Sequence, residues 1–493
     1  MKRTDLFGIL FLILAALIIY YPVIHAVYLY TDESVQLWYG GKGLNFDTSV
    51  PQGRYITYRL FTWLFSHIHT IHGVMLARVF SLVGWMACLP LWYLILDRVV
   101  FRNALPKPLA FLSCIYLVCM PPFAISIGWA SCMELFIACT AGLISGYALY
   151  AGITEKKGRA FKTTAIAISL LSGLLSLFTY QSGFGCFFIP FFIHFLGSKK
   201  PTRTIVMGIA ASIFIYLVYY LLFRVSIGRY GLGPSDRSAF STDPLGKMVF
   251  FLSGPMAAAF HFTRLFNEKS WPGIFSCLLI AAAWLITDLF RQRRTPFRQK
   301  IIYLSGLFVF FLLTDLPSLI VKENYAANRT LLALDLSVFL LVGECLFAFL
   351  KKERTRVFGT AVVAALFLAN GWYNFNKGFL GPLTAEYQAI RQAVISNIDS
   401  ATTRIYFIRP PENGFEKKYG LVRSWDEFGV PSTAKPWTPE PLIRQLIFER
   451  TGDRVRAEGI IIKSWPDKKA FASSLDTLSK GTVLINGDSL LSE

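Results

Sequence analysis

The stretch LFGILFLILAALIIYYPVIHAVYLY, residues 6–30, carries no Asp, Glu, Lys or Arg and is followed at once by Thr31-Asp32-Glu33. About 20 apolar residues suffice to cross the hydrocarbon core of a bilayer as a helix. The run exceeds the hydrophobic region of a secretory signal, and no small-x-small cleavage site closes it. It therefore predicts a retained membrane helix that delivers two carboxylates to the bilayer surface.

The rest of the chain repeats the pattern. Of its 493 residues, 54% are hydrophobic and 16% charged, against about 25% charged in ordinary soluble chains. Further apolar runs lie at 73–96, 108–127, 132–153, 163–179, 182–197, 205–223, 273–290, 301–321, 332–350 and 357–373. With 6–29 they predict eleven spans. The segment 248–265 is apolar too, but Gly254-Pro255 interrupts it, so it reads as re-entrant or interfacial.

The formal net charge of +19 would suit a nucleic-acid partner, but its placement excludes one. From Lys377 onward there are 16 basic and 14 acidic residues, close to balance. The excess sits in short clusters between apolar runs: Lys2-Arg3, Arg98 to Lys107, Lys156 to Lys162, Lys199 to Arg203, Arg291 to Lys300 and Lys351 to Arg356. Eleven spans with 248–265 not crossing put all six clusters on the cytoplasmic side, as the positive-inside rule requires. The loops 30–72, 126–131, 224–272 and 322–331, Tyr180-Gln181 and the tail then face outward.

The expected architecture is a polytopic α-helical membrane protein with a small C-terminal soluble α/β domain: residues 1–375 in the membrane, 376–493 outside. In the tail, 384–398 and 437–450 have helical spacing, while 404–409, 459–463 and 482–486 read as strands. All eight cysteines lie before the tail without metal-ligand spacing, which suits small fillers in packed helices.

Asp32 and Glu33 are the first chemical signal. A carboxylate at this depth can act as a base towards a hydroxyl, or hold a divalent metal such as Mg2+ or Mn2+. Arg54, in Pro51-Gln52-Gly53-Arg54-Tyr55, is a planar permanent cation suited to phosphate. Asp315 lies inside a span, where an acidic residue is a functional candidate. The Gly-rich loop 224–247, with Arg224, Arg229, Asp236, Arg237 and Asp243, could cover a phosphate. His67, His69 and His72 read as interfacial histidines, because no nearby carboxylate completes a metal set.

An acidic pair after the first helix, followed by a Gly-Arg-aromatic step, resembles the GT-C superfamily of membrane glycosyltransferases. It is most similar to the type II glucosyltransferases that modify bacterial O-antigen, part of lipopolysaccharide. Thr179-Tyr180-Gln181-Ser182 at a helix end, Trp129 and Glu134 after the third helix, and Asn328-Arg329-Thr330-Leu331 opening a late helix extend the likeness over residues 1–375. Many members carry two Asp where this chain has Asp32-Glu33.

The resemblance implies a hexose transfer from a polyprenyl-phosphate donor to a surface glycan or lipid-linked acceptor. It implies Asp32 as base, Glu33 as helper or metal ligand, and Arg54 and Arg329 on the donor phosphate. Tyr55, Tyr180, Gln181, Glu134 and Asp315 are then substrate-binding candidates, and the setting a bacterial inner membrane. Two other readings remain: a transporter or flippase of a lipid-linked substrate, which usually shows internal repeats, and a polysaccharide polymerase or ligase.

Overall fold

The computed structural model describes residues 3–40, 47–229, 233, 235, 239–261, 282, 296–350, 352–421, 423–425, 427–474 and 480–492. The chain is a helical membrane protein. Among the described residues, eight helices are long and apolar enough to cross a bilayer, and nine if the pair Pro108–Cys119 and Pro121–Gly128, bent by 44°, counts as one span. These nine coincide with nine of the eleven expected runs. The bend falls at Met120-Pro121, where proline cannot donate the backbone bond a straight helix needs.

Of the other two runs, 273–290 lies outside the described residues except for residue 282, and Gly231, Asp236, Arg237, Cys277 and Asp288 lie outside as well. The run 182–197 is not one continuous helix. It opens as a 3-10 turn, Gln181–Phe188, and continues as the short helix Ile189–Ser198. Close packing explains the break. A Cβ on Gly183 would fall 2.6 Å from that of Ala138, and one on Gly185 would fall 2.2 Å from the Thr314 carbonyl oxygen. The segment is buried inside the bundle, as its Phe184–Phe187–Phe191 ring stack requires. The apolar segment around 248–265 forms a helix, Pro244–Phe260, with a π-turn at Leu252–Met256 that contains Pro255.

The last spanning helix does not stop at residue 375. Glu353–Tyr373 passes through a π-turn, Asn374–Leu380, into Gly381–Asn397, so the helix expected at 384–398 continues the membrane helix. Beyond it, β1 (Arg404–Ile408) forms the centre of a three-stranded parallel sheet. β2 (Ile461–Trp465) and β3 (Thr482–Asn486) flank it, with Arg404 opposite Ile461 on one side and Thr482 on the other. Four of the five β1 residues are buried, as a central parallel strand demands. The helix Pro439–Thr451 packs on Gly381–Asn397 and on Asp32–Gly40.

This C-terminal unit is clamped onto the ends of the membrane helices by polar bonds. The Ile71 amide donates to Glu449 at 2.6 Å, Gln445 Nε2 donates to the His69 carbonyl at 2.9 Å, and an Arg454 Nη donates to the Trp38 carbonyl at 2.8 Å. Glu386, fully buried, accepts from the Ser432 and Thr433 amides and from the Thr433 hydroxyl. The loop that follows Thr433 is thereby held fast.

Candidate functional site

The first helix ends near Pro22, and residues 25–30 run on as irregular chain with Tyr28 and Tyr30 buried. Thr31 then adopts φ +40°, a left-handed conformation costly for a β-branched residue. Its amide donates to Ser432 Oγ at 2.8 Å, and its carbonyl accepts from Ser34 Oγ at 2.9 Å. Strain that the surroundings hold in place clusters at functional sites.

Just past this turn the two carboxylates part. Glu33 turns inward and is completely buried. One oxygen accepts from the Ala130 amide at 2.6 Å; the other accepts from the Tyr30 amide at 2.7 Å and from Arg78 at 2.5 Å. The Arg78 guanidinium, also fully buried, lies 3.6 Å over the Tyr28 ring and donates to the Tyr28 carbonyl. Glu33 is therefore tied into the protein interior, apart from the surface position of Asp32, where a helper or metal-ligand role was expected. Three hydrogen bonds from the protein already reach its oxygens, and a metal bound there would confront the Arg78 charge. Among the described residues no three His, Cys, Asp or Glu side chains come together as ligands either. The donor set does not fit a divalent ion held by the Asp32-Glu33 pair.

Asp32 stays at the surface, half-buried, and its Oδ1 accepts from Trp437 Nε1 at 2.9 Å. Trp437 belongs to the C-terminal unit, and nothing in its local sequence announces this contact.

Arg54 and Arg329 meet through Tyr180. Gly53 makes the turn that aims Arg54. Its φ is +78°, and a Cβ there would meet the Tyr219 hydroxyl at 2.1 Å and Gln181 Nε2 at 3.0 Å, so only glycine fits. The Arg54 guanidinium lies 4.0 Å over the Tyr180 ring, and its Nε donates to Gln181 Oε1 at 3.3 Å. Gln181 Nε2 in turn donates to the Gln52 carbonyl and to the Tyr219 hydroxyl. Arg329 Nε donates to the Tyr180 hydroxyl at 3.3 Å, and its Nη2 to the Tyr325 hydroxyl. Its guanidinium also lies 4.6 Å from the Trp129 ring centroid.

Arg329 carries a partner absent from the sequence reading. Its Nη1 forms an ion pair with Glu427 at 2.6 Å, and the other Glu427 oxygen accepts from the Asn328 amide at 2.6 Å. Glu427 is fully buried and comes from the C-terminal unit. Trp425, two residues before it, has φ +57°, a second strained position beside this cluster.

The remaining candidates divide. Glu134 is 1% exposed, faces Thr57 Oγ1 at 3.3 Å, and has Oε2 buried with no hydrogen-bond partner among the described residues. Both Arg54 and Arg329 lie within its electrostatic reach. Around Cys132 the charges of Asp32, Glu134, Arg329 and Glu427 are all felt together. Tyr55 does not join them: its hydroxyl accepts from Arg59 Nη2 at 2.9 Å on an exposed flank. Asp315, 1% exposed, accepts from Ser318 Oγ at 3.0 Å, and its Oδ2 is buried with no partner among the described residues. In the glycine-rich loop, Asp243 caps the helix Pro244–Phe251 through the Gly246 amide.

A cavity of about 360 Å³ joins several of these groups. Arg54, Tyr180, Gln181, Glu323 and Tyr325 form its polar part, and Ile213, Leu217, Tyr220, Phe223 and Phe240 its apolar wall. Ile213, Leu217 and Phe240 are more than half exposed, so the cavity opens sideways on the apolar outer surface of the bundle. Asp32 is not among its lining residues. The Trp129 ring packs on Tyr30 at 5.2 Å and lies under Arg329.

No protein-family model matches the chain, and no curated protein matches it significantly.

Proposed function

We propose that the chain is a membrane glycosyltransferase of the GT-C type. It would move a hexose from a polyprenyl-phosphate sugar to a hydroxyl of a surface glycan or lipid-linked acceptor, on the outward face of a bacterial inner membrane. One observation carries the reading: a cavity bordered by exposed apolar residues and walled mostly by apolar and aromatic side chains has the Arg54 guanidinium in its lining. An isoprenoid chain suits the wall, and a phosphate suits the cation.

In the reaction, Asp32 takes the proton of the acceptor hydroxyl as its oxygen bonds to the anomeric carbon. The bond from that carbon to the phosphate oxygen breaks, and the lipid phosphate leaves with the electron pair. Arg54, held over Tyr180 and bonded to Gln181, stabilises the charge that builds on the phosphate. Arg329, already neutralised by Glu427, acts from behind Tyr180 and Tyr325. Glu33 holds the backbone that presents Asp32.

The test is transfer of a radiolabelled hexose from a synthetic polyprenyl-phosphate donor. Asp32→Asn is expected to lose about 10²–10⁴-fold in rate at unchanged protein yield, the usual contribution of a positioned base. Undiminished transfer by this variant would remove Asp32 from the chemistry. Asp315 favours a second reading, transport of a lipid-linked substrate, because it is a buried acidic group with an unpartnered oxygen beside the cavity residues Leu316 and Ser318. Movement of a labelled lipid phosphate across vesicles, abolished by Asp315→Asn but not by Asp32→Asn, would select it.

A further inference from the structure

The two substrates of the proposed transfer need two approaches, and the lipid-side groove supplies one. The other must reach Asp32, whose surroundings are set by the C-terminal unit. Trp437 stands there in an unusual state. Its Nε1–H is held by Asp32, yet 48% of the residue is exposed. Trp38, Trp85 and Trp92 are at most 1% exposed, and although Trp63 and Trp372 are as open as Trp437, no carboxylate among the described residues holds their ring nitrogens.

The segment bearing Trp437 is rigid. Ser432 and Thr433 are tied to the buried Glu386, and Lys435 Nζ is paired with Glu412 at 2.9 Å. Pro436 and Pro439 flank the ring, and Thr438 is fully buried. An indole fixed in this way loses little freedom when a ligand covers it. Its exposed face is apolar, whereas its edge is polar and points at the carboxylate. A pyranose ring has the matching form: a face of C–H groups to lie on the indole, and hydroxyls at its rim to reach Asp32.

We infer that Trp437 is the platform for the acceptor sugar and positions Asp32 through its ring N–H. This rests on the transferase reading. It assigns the acceptor side to the C-terminal unit and makes a carbohydrate the ligand that covers the indole.

The experiment uses the full chain in nanodiscs. Hydroxyl-radical footprinting with mass spectrometry reads oxidation of Trp437, with and without methyl glycosides of glucose, galactose, mannose and rhamnose, and with maltotriose. At least one sugar is expected to protect Trp437 several-fold, while oxidation of the exposed Trp63 stays constant. Transfer kinetics with the protecting sugar then compare Trp437→Phe and Trp437→Ala. Trp437→Ala is expected to raise the acceptor KM about tenfold at unchanged donor KM. Trp437→Phe keeps the ring and is expected to hold the acceptor KM while lowering kcat. Protection by none of the sugars, or equal acceptor KM in wild type and Trp437→Ala, overturns the platform. Protection without any transfer upholds the platform and sinks the transferase reading instead.

Discussion

Two buried arginine–carboxylate pairs lie close to Trp129, one bonded to the amide of Ala130 and the other with its guanidinium over the Trp129 ring, and they are built differently. Glu33 and Arg78 belong to the membrane part, both are completely buried, and the anchor takes backbone amides from Tyr30 and Ala130. Arg329 and Glu427 join the membrane part to the C-terminal unit, beside a cavity and a strained Trp425. The chemistry of the two pairs is nearly the same. What differs is whether the surroundings let water in when one member is lost. A pair locked in a helical bundle gives structure. A pair at a seam between two parts can be rearranged, and stands where a ligand phosphate could compete.

Glu33→Ala tests the sealed side and has the largest expected effect. It leaves Arg78 charged and unpaired among apolar side chains, a loss of about 3–5 kcal/mol. The expected result is little folded protein after detergent extraction, read by fluorescence-detected size exclusion. Normal yield and thermal stability would show that Arg78 finds water or another partner. Glu427→Ala is expected to cost less, about 2–3 kcal/mol, because the seam can open and hydrate Arg329. Its mark should be early thermal undocking of the C-terminal unit, together with tighter binding of short isoprenyl phosphates. A stability loss equal to that of Glu33→Ala would mean that the seam is as sealed as the core.

Gly53→Ala sharpens the comparison on the groove side, at about 1–2 kcal/mol for a left-handed alanine. The added methyl displaces Tyr219 and Gln181, so Arg54 should lose its aim. A several-fold rise in donor KM with the acceptor KM unchanged is the expected outcome in the transfer assay. Unchanged donor KM would separate Arg54 from the phosphate.

Much of the fold was legible because lipid imposes a simple rule on sequence. Long apolar runs such as 73–96 and 205–223 became helices that start within two residues of the expected position and run on to Arg102 and Arg229, and the strand at 482–486 fell where expected. The run 182–197 misled because apolar content says nothing about close packing, which Gly183 and Gly185 decide. Arg54, Tyr180 and Arg329 were readable as polar residues at helix ends, and they do meet. Arg78 left a signal that could have been used: a lone charge inside an apolar run demands a buried partner. Glu427 and Trp437 left none. Their neighbours are ordinary tail residues, and their roles arise only from contacts with residues about 100 and 400 positions away.

The bond between Thr31 and Ser432 spans 401 positions, and the one between Asp32 and Trp437 spans 405. During synthesis the first helix enters the bilayer long before the segment around 432 exists. Until that segment is made and delivered to the same face, Thr31 lacks a holder and the carboxylate next to it has no indole beside it. A half-made chain would thus sit in the membrane with the turn at Thr31 and Asp32 unassembled until synthesis had passed Trp437.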